Sequence, residues 1–302
     1  MSKLNLQKKF VKTLALFTVI RGYNIAMLIL AQYMASLFIF SNGRNHLQIL
    51  LDKHLNFIII ASALSAAAGY VINNFYDLEK DTIQRPLQNY IERFISQKFK
   101  LNTYLALNAL ALLAAYLVSW RVMIFFIIYQ FLVWFYSHKV NRLVLVNNVY
   151  SVILMIFPFF ALFLYYENYS TIIFFHAGFL FLLLLITDIL KDLTSSTADT
   201  IYNYHTLPVV YGEKRTKQVL TLLMLLTIGL SLFMWKSSAT GYMKYFFLLS
   251  SLLNLLLPIP LWGSYNKTTY KILHLIFKLL IGFGIFNMVF IDLNPLDLQK
   301  IV

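Results

Sequence analysis

The sequence predicts an all-α membrane protein with nine transmembrane helices, and three observations predict it. The 302 residues are 60% hydrophobic and only 12% charged, with a mean hydropathy of +0.71. Apolar runs recur along the whole chain, most of them close to the roughly 20 residues that a spanning helix needs. The basic residues sort into alternate connections, as the positive-inside rule requires. Lipid offers no partner to a backbone N–H or C=O, so runs of this length must satisfy themselves as helices.

Taken in order, the basic segment 1–12 precedes an apolar run and superficially resembles a signal peptide. Arg21 interrupts that run and no small-x-small cleavage site follows, so a retained first span over 16–40 fits better. The remaining spans are expected at 57–75, 103–120, 123–136, 148–165, 172–190, 219–235, 245–262 and 272–291. With the N-terminus placed in the cytoplasm, 19 of the 25 Lys and Arg residues fall in the N-terminal tail and on the cytoplasmic side, and the C-terminus lies outside. The membrane is read as a plasma membrane of the bacterial inner type. No linker, low-complexity tract or composition shift divides the chain, so residues 1–302 read as a single transmembrane domain.

The net charge of +13 does not mark a nucleic-acid binder, because the cations lie in short loops rather than on one basic face. Cysteine is absent, which excludes disulfides, thiolate metal sites and Cys nucleophiles. Any metal must be held by oxygen or imidazole. The sequence carries no signal for oligomeric state.

Eight of the twelve acidic residues form two clusters: Asp77, Glu79, Asp81 and Glu92 after the second span, and Asp188, Asp192, Asp199 and Glu213 after the sixth. Both emerge on the cytoplasmic side, where they can hold two sides of one ligand. In the first, Asn73, Asp77, Asp81 and Arg85 recur every fourth residue, which stacks them on one helical face if the second span continues that far. Carboxylates four apart repel by about 0.2–0.5 kcal/mol, so a cation belongs between them. Mg²⁺ takes oxygen ligands and commonly one or two carboxylates plus phosphates. The stretch therefore reads as half of a Mg²⁺–diphosphate site. In the second cluster, Asp188, Asp192 and Asp199 share a face provided that the run Thr194 to Thr197 does not end the helix.

These residues resemble the UbiA superfamily of intramembrane prenyltransferases. Asn73-x-x-x-Asp77-x-x-x-Asp81-x-x-x-Arg85-Pro86 is similar to its first aspartate motif, and Lys191-Asp192 through Asp199 to Thr206-Leu207-Pro208 and Gly212 to its second. Arg21-x-x-Asn24 and Tyr136-Ser137 ahead of Asn148 match more weakly. The resemblance implies nine helices around a central cavity, a polyprenyl diphosphate donor bound through Mg²⁺, and an acceptor of the prenyl group. Asp77 and Asp81 would then hold one ion, and Asp192 and Asp199 a second with Asp188 assisting. Asn73 would orient a metal-bound water or phosphate oxygen; Arg85, Lys139 and Lys191 would contact phosphate. Arg21 and Asn24, polar inside a span, would contact substrate or pair between helices.

The trailing pattern is closest to the branch that prenylates geranylgeranylglyceryl phosphate, with aromatic quinone precursors as the alternative acceptors. Ser195 stands where the second motif usually has aspartate, Thr187 where Arg is frequent, Asn141 where Lys is common and Asn147 where Gly usually precedes Asn. These departures leave open a catalytically weakened relative that binds or transports lipid, although charges gathered at one surface fit transport poorly. His138 and His205 sit where a general base could act. His176 reads as core packing, and no individual aromatic residue is assigned a role in the site.

Overall fold

The structure, a computed structural model, describes residues 13–40, 45–77, 82, 86–92, 94–140, 143–263 and 266–291, with 87 and 88 by backbone alone. The helices are α1 (Gly22–Ala35, continued by a π-helical turn at Ser36–Phe40), α2 (His46–Leu50), α3 (Lys53–Tyr76), α4 (Pro86–Glu92), α5 (Gln97–Tyr116), α6 (Trp120–His138), α7 (Val146–Tyr166), α8 (Thr171–Ile201), α9 (Leu207–Lys236), α10 (Lys244–Leu256), α11 (Pro258–Gly263) and α12 (Lys267–Asn287). Short 3₁₀ turns, Ser238–Met243 and Met288–Phe290, precede α10 and follow α12. There is no strand among the described residues.

Eight helical stretches among the described residues are long and apolar enough to cross a membrane: Gly22–Phe40, α3, α6, α7, α8, α9, Ser238–Gly263 and Lys267–Phe290. Each overlaps an expected span. The ninth expected span, 103–120, overlaps α5, a 20-residue helix diluted by Lys98, Lys100, Asn102 and Asn108 that does not reach the same apolarity. The first span also starts later than residue 16. Residues 13–19 are helical, a turn follows, and Arg21 takes φ +50°, so α1 begins at Gly22. A left-handed residue cannot lie inside an α-helix.

The chain divides into two compact units, Met1–Leu30 with Leu50–Asn141 and Ala31–Ile49 with Arg142–Val302. In the first, α3 packs on α5 and α6. Its buried Ala61, Ser62, Ser65 and Ala68 recur at helical spacing, and α5 buries Ala111, Ala114 and Ala115. Small residues let helix backbones approach closely where apolar burial alone cannot drive association. At Gly69 an added Cβ would lie 2.7 Å from Val133 of α6, so only glycine admits that approach. Asp52 caps α3 by accepting from His54 N and Leu55 N, at 3.0 and 3.3 Å; Ser96 and Ser119 cap α5 and α6. Such side chains satisfy amides that a helix leaves open at its start.

In the second unit, α8 packs on α7, α9 and α12, and α9 on α10. Leu183, Ile186, Ile189 and Leu190 of α8, Leu220 and Met224 of α9, Phe246 and Phe247 of α10 and Leu273 and Phe277 of α12 form one buried cluster. With 31 residues, α8 is about 45 Å long. That exceeds the roughly 30 Å hydrocarbon core, so its acidic final turns can reach past the lipid tails. A buried charge joins α9 to α12. Lys217 is fully buried, with Nζ 3.0 Å from Glu213 Oε1 and 5.4 Å from the Tyr270 ring centroid, while the Tyr270 hydroxyl donates to the same carboxylate.

A break at Gly212, φ +79° and ψ +165°, sets the first turn of α9 off from the rest. Only glycine occupies that region without strain of about 1–3 kcal/mol. Gly212→Ala is therefore expected to lower the melting temperature of the detergent-solubilised protein, although a Cβ there would meet no atom within 4 Å. An unchanged melting temperature would show that the break relaxes freely.

Candidate functional site

The first acidic motif begins inside α3 and leaves it. Asn73 lies in the last turn, and Asp77 is the capping residue at φ −95°, ψ +11°, its N–H donating to Asn73 O at 2.9 Å. The expected stack of Asn73, Asp77, Asp81 and Arg85 along one continuous helix therefore reaches only to Asp77, because α3 stops at Tyr76. A carboxylate at that position meets the negative C-terminal end of the helix dipole, which disfavours continuing the helix past Asp77. Asp81 and Arg85 lie outside the described residues. Asp77 is buried, and the side-chain oxygen of Asn73 is buried without a hydrogen bond.

The second motif is helical throughout, since α8 runs through the Ser/Thr stretch to Ile201. The hydroxyls bond back onto the helix: Thr194 to Lys191 O at 2.7 Å, Ser196 to Leu193 O at 3.3 Å and Thr200 to Ser196 O at 2.9 Å. Asp188, Asp192 and Asp199 are all buried. One amide from α7 joins the first two: Asn148 Nδ2 donates to Asp188 Oδ2 at 3.0 Å and to Asp192 Oδ2 at 2.8 Å. Ser151 Oγ, one turn along α7, donates to the same Asp188 oxygen at 2.8 Å. Lys191 Nζ lies 3.7 Å from Asp188 Oδ1 and is substantially exposed. Asp199 accepts from Ser195 Oγ at 2.7 Å and Thr206 Oγ1 at 3.4 Å. Ser195, where the motif usually has a third carboxylate, thus serves as a donor to one.

Thr187 is buried, its hydroxyl bonded to Leu183 O at 2.7 Å, and its own carbonyl accepts from His274 Nδ1 of α12 at 3.0 Å. Arg21 and Asn24 pair between helices: the Arg21 guanidinium lies 5.0 Å from the centroid of the Tyr70 ring, and Asn24 Nδ2 donates to the Tyr70 hydroxyl at 3.3 Å. Lys139 is exposed at the end of α6. His138 stacks on Trp134 at 5.2 Å and shares a 3.3 Å hydrogen bond with the Tyr76 hydroxyl. His205 is exposed, and Asn141 lies outside the described residues. His176 is packed beside Phe247, with Nδ1 donating to Ile172 O at 2.8 Å.

The described donor set fits Mg²⁺. The candidate ligands are all oxygens, which hard cations prefer. The side-chain oxygens of Asn73 and Asn148 are both buried and without hydrogen-bond partners, so each motif keeps an open neutral acceptor beside its carboxylates. Among the described residues no three His, Asp or Glu side chains converge on one point. The role of Ser151 beside Asn148 is not legible in the sequence beyond a polar pair three residues apart in an apolar span, although Asn148 itself is among the weaker matches to the family.

Residues 27–281 match the sequence profile of the UbiA prenyltransferase family. A digeranylgeranylglyceryl phosphate synthase from Methanosphaera stadtmanae is 27% identical over 191 residues, which are 61% of this chain and 69% of that one. A second, from Thermococcus sibiricus, is 26% identical over 62% of this chain and 66% of its own length. These alignments span about two thirds of each relative. A UbiA homolog from Archaeoglobus fulgidus bound to GPP and Mg²⁺ shares the fold, with a TM-score of 0.66 over 90% of this chain and 99% of that one at 16% identity. A UbiA homolog from Aeropyrum pernix K1 does so with a TM-score of 0.65 over 86% and 97% at 16% identity. With the family profile covering most of its length and passing through both acidic motifs, the chain belongs to the UbiA prenyltransferase family and is a multi-pass membrane prenyltransferase.

Proposed function

We propose that this chain transfers a polyprenyl group from its diphosphate to a lipid acceptor of the glyceryl phosphate type, with Mg²⁺ held by Asp77 and Asp81 and by Asp188, Asp192 and Asp199. The observation that carries the reading is the Asn148 amide, which gathers Asp188 and Asp192 while leaving its own oxygen open. The donor class is supported by the homolog bound to GPP and Mg²⁺, and the acceptor class by the names of the sequence relatives. The profile match runs through both compact units, which supports reading the chain as one functional domain.

Bound Mg²⁺ supplies charge neutralisation for the diphosphate as it departs with the electron pair of the allylic C–O bond. Asn148 and Ser151 hold Asp188 in place against its neighbour Asp192, a repulsion that would otherwise splay them. Arg85, Lys139 and Lys191 are the cations for the phosphate oxygens, Arg being suited to bidentate pairing. Asn73 orients a water or a phosphate oxygen through its open acceptor. The acceptor hydroxyl oxygen then bonds to the allylic carbon, and its proton leaves with the diphosphate. Purified protein supplied with radiolabelled prenyl diphosphates of different lengths and with both glyceryl phosphate and aromatic acceptors tests this; transfer to aromatic acceptors alone would overturn the acceptor assignment.

The distribution of Lys and Arg supports a cytoplasmic N-terminus. The absence of cysteine makes single introduced cysteines clean reporters. Gln88→Cys is expected to label only from the cytoplasm and Gln299→Cys only from outside; labelling of both from one side would contradict nine crossings.

A further inference from the structure

Three polar side chains to which the reading of the two motifs gives no part in binding are buried together at the first of them. Lys100, in the first turn of α5, is only 2% exposed, and its Nζ donates to Asn74 Oδ1 at 2.7 Å. Asn74 Nδ2 donates in turn to Glu92 Oε2 at 2.6 Å, and both of these residues are buried. The amide thus relays between an ammonium and a carboxylate, its oxygen facing the cation and its nitrogen the anion. Asn74 directly follows Asn73 in the last turn of α3, while Glu92 ends α4. On the same side of α4, three residues earlier, Asn89 is buried and donates to Thr82 Oγ1 at 2.7 Å. Thr82 directly follows Asp81 in the sequence.

Burying an ammonium and a carboxylate costs several kcal/mol per ion before their attraction is counted, and apolar residues of like size would serve stability as well. The hydrogen bonds do something apolar packing cannot. They fix three separate segments, the end of α3, the end of α4 and the start of α5, in one register, and Asp81 and Arg85 lie in the sequence between α3 and α4. We propose that Asn74, Glu92 and Lys100 are positioning residues that hold the Asn73–Asp77 end of α3 in fixed register with α4 and α5, and so set the geometry of the first motif's metal ligands. The proposal rests on the metal–diphosphate reading of the first motif.

The test uses the full chain in nanodiscs with Gln84→Cys as a unique thiol in the connection. Its reaction with a water-soluble maleimide is followed with and without MgCl₂ and inorganic diphosphate, and its melting temperature is measured alongside. In the otherwise wild-type chain, magnesium with diphosphate is expected to slow labelling. Adding Asn74→Leu should weaken the apparent affinity for magnesium in that protection by about 10–100-fold, the usual cost of losing a residue that orients metal ligands. The double variant Glu92→Gln with Lys100→Gln, made with Asn74 intact, keeps the donor and acceptor order without the charges and should retain most of the protection. Unaltered protection in a folded Asn74→Leu chain would overturn the proposal. So would a loss that only follows a fall in melting temperature, together with an equal loss in the double variant. If the otherwise wild-type chain shows no protection at all, the metal–diphosphate reading itself fails, and the positioning role fails with it.

Discussion

Asp77→Ala and Asp192→Ala are each expected to lower turnover by at least two orders of magnitude, about 2.7 kcal/mol or more of barrier. EDTA should abolish turnover in the unaltered protein. Asp77 is buried at the end of α3 beside the open Asn73 oxygen, and Asp192 is buried under the shared Asn148 amide. Neither carboxylate is an ordinary solvated loop group. Asp81→Ala should behave like Asp77→Ala. Asp52→Ala provides the contrast: it removes the cap of α3 and should cost stability of about 1 kcal/mol, while turnover per folded molecule stays the same. A magnesium-dependent Asp77→Asn enzyme with full activity would show that Asp77 is not a metal ligand.

Asp188→Ala is expected to be as damaging as Asp77→Ala and to raise the half-saturating magnesium concentration at least about tenfold, whereas Ser195→Asp should change the magnesium curve little. The structure supports this ranking. Asp188 and Asp192 are joined by one amide, so two carboxylates already meet there without the aspartate that the motif resemblance leads one to expect at the Ser195 position. Ser195 donates to Asp199 at 2.7 Å. A third carboxylate in its place would face Asp199 directly and must share a cation with it. Were the chain short of negative charge, Ser195→Asp would raise turnover and lower the magnesium requirement. Were it a binding protein without catalysis, Ser195→Asp would create no activity. A magnesium titration of the wild type and both variants separates these results, and an unshifted curve for Asp188→Ala would rule compensation out.

Much of the helical order was legible because lipid leaves an apolar run no alternative to a helix. Helix ends were less so. Lys53, Gln97 and Lys267 begin helices several residues before the apolar pattern does, since polar residues at a membrane surface extend helices without adding hydropathy. The break at Arg21 depends on one positive φ that composition does not encode. Among the candidate site residues, four-residue spacing marked Asp188 and Asp192 because periodicity is a property of one segment. Their clamp was hidden because Asn148 lies 40 residues from Asp188 and reaches it only through packing. Lys100 and Lys217 read as loop cations for the same reason; each is buried by partners on other segments. The Ser/Thr run was expected to threaten α8, yet its hydroxyls bond within the helix and let it continue.

The junction of Lys217, Glu213 and Tyr270 bears on how the chain is made. Glu213 and Lys217 leave the ribosome 57 and 53 residues ahead of Tyr270, and the Tyr270 hydroxyl completes the carboxylate's bonding. At about 5–20 residues per second, synthesis of the intervening chain takes roughly 3–11 seconds. During that interval the base of α9 carries an ammonium without the aromatic face that later covers it. It must therefore wait at the water interface, where the cation stays hydrated, and settle only when α12 arrives. The last long helix is thus a condition for completing α9, and a nascent chain truncated before residue 270 should remain accessible to protease at the Gly212 turn.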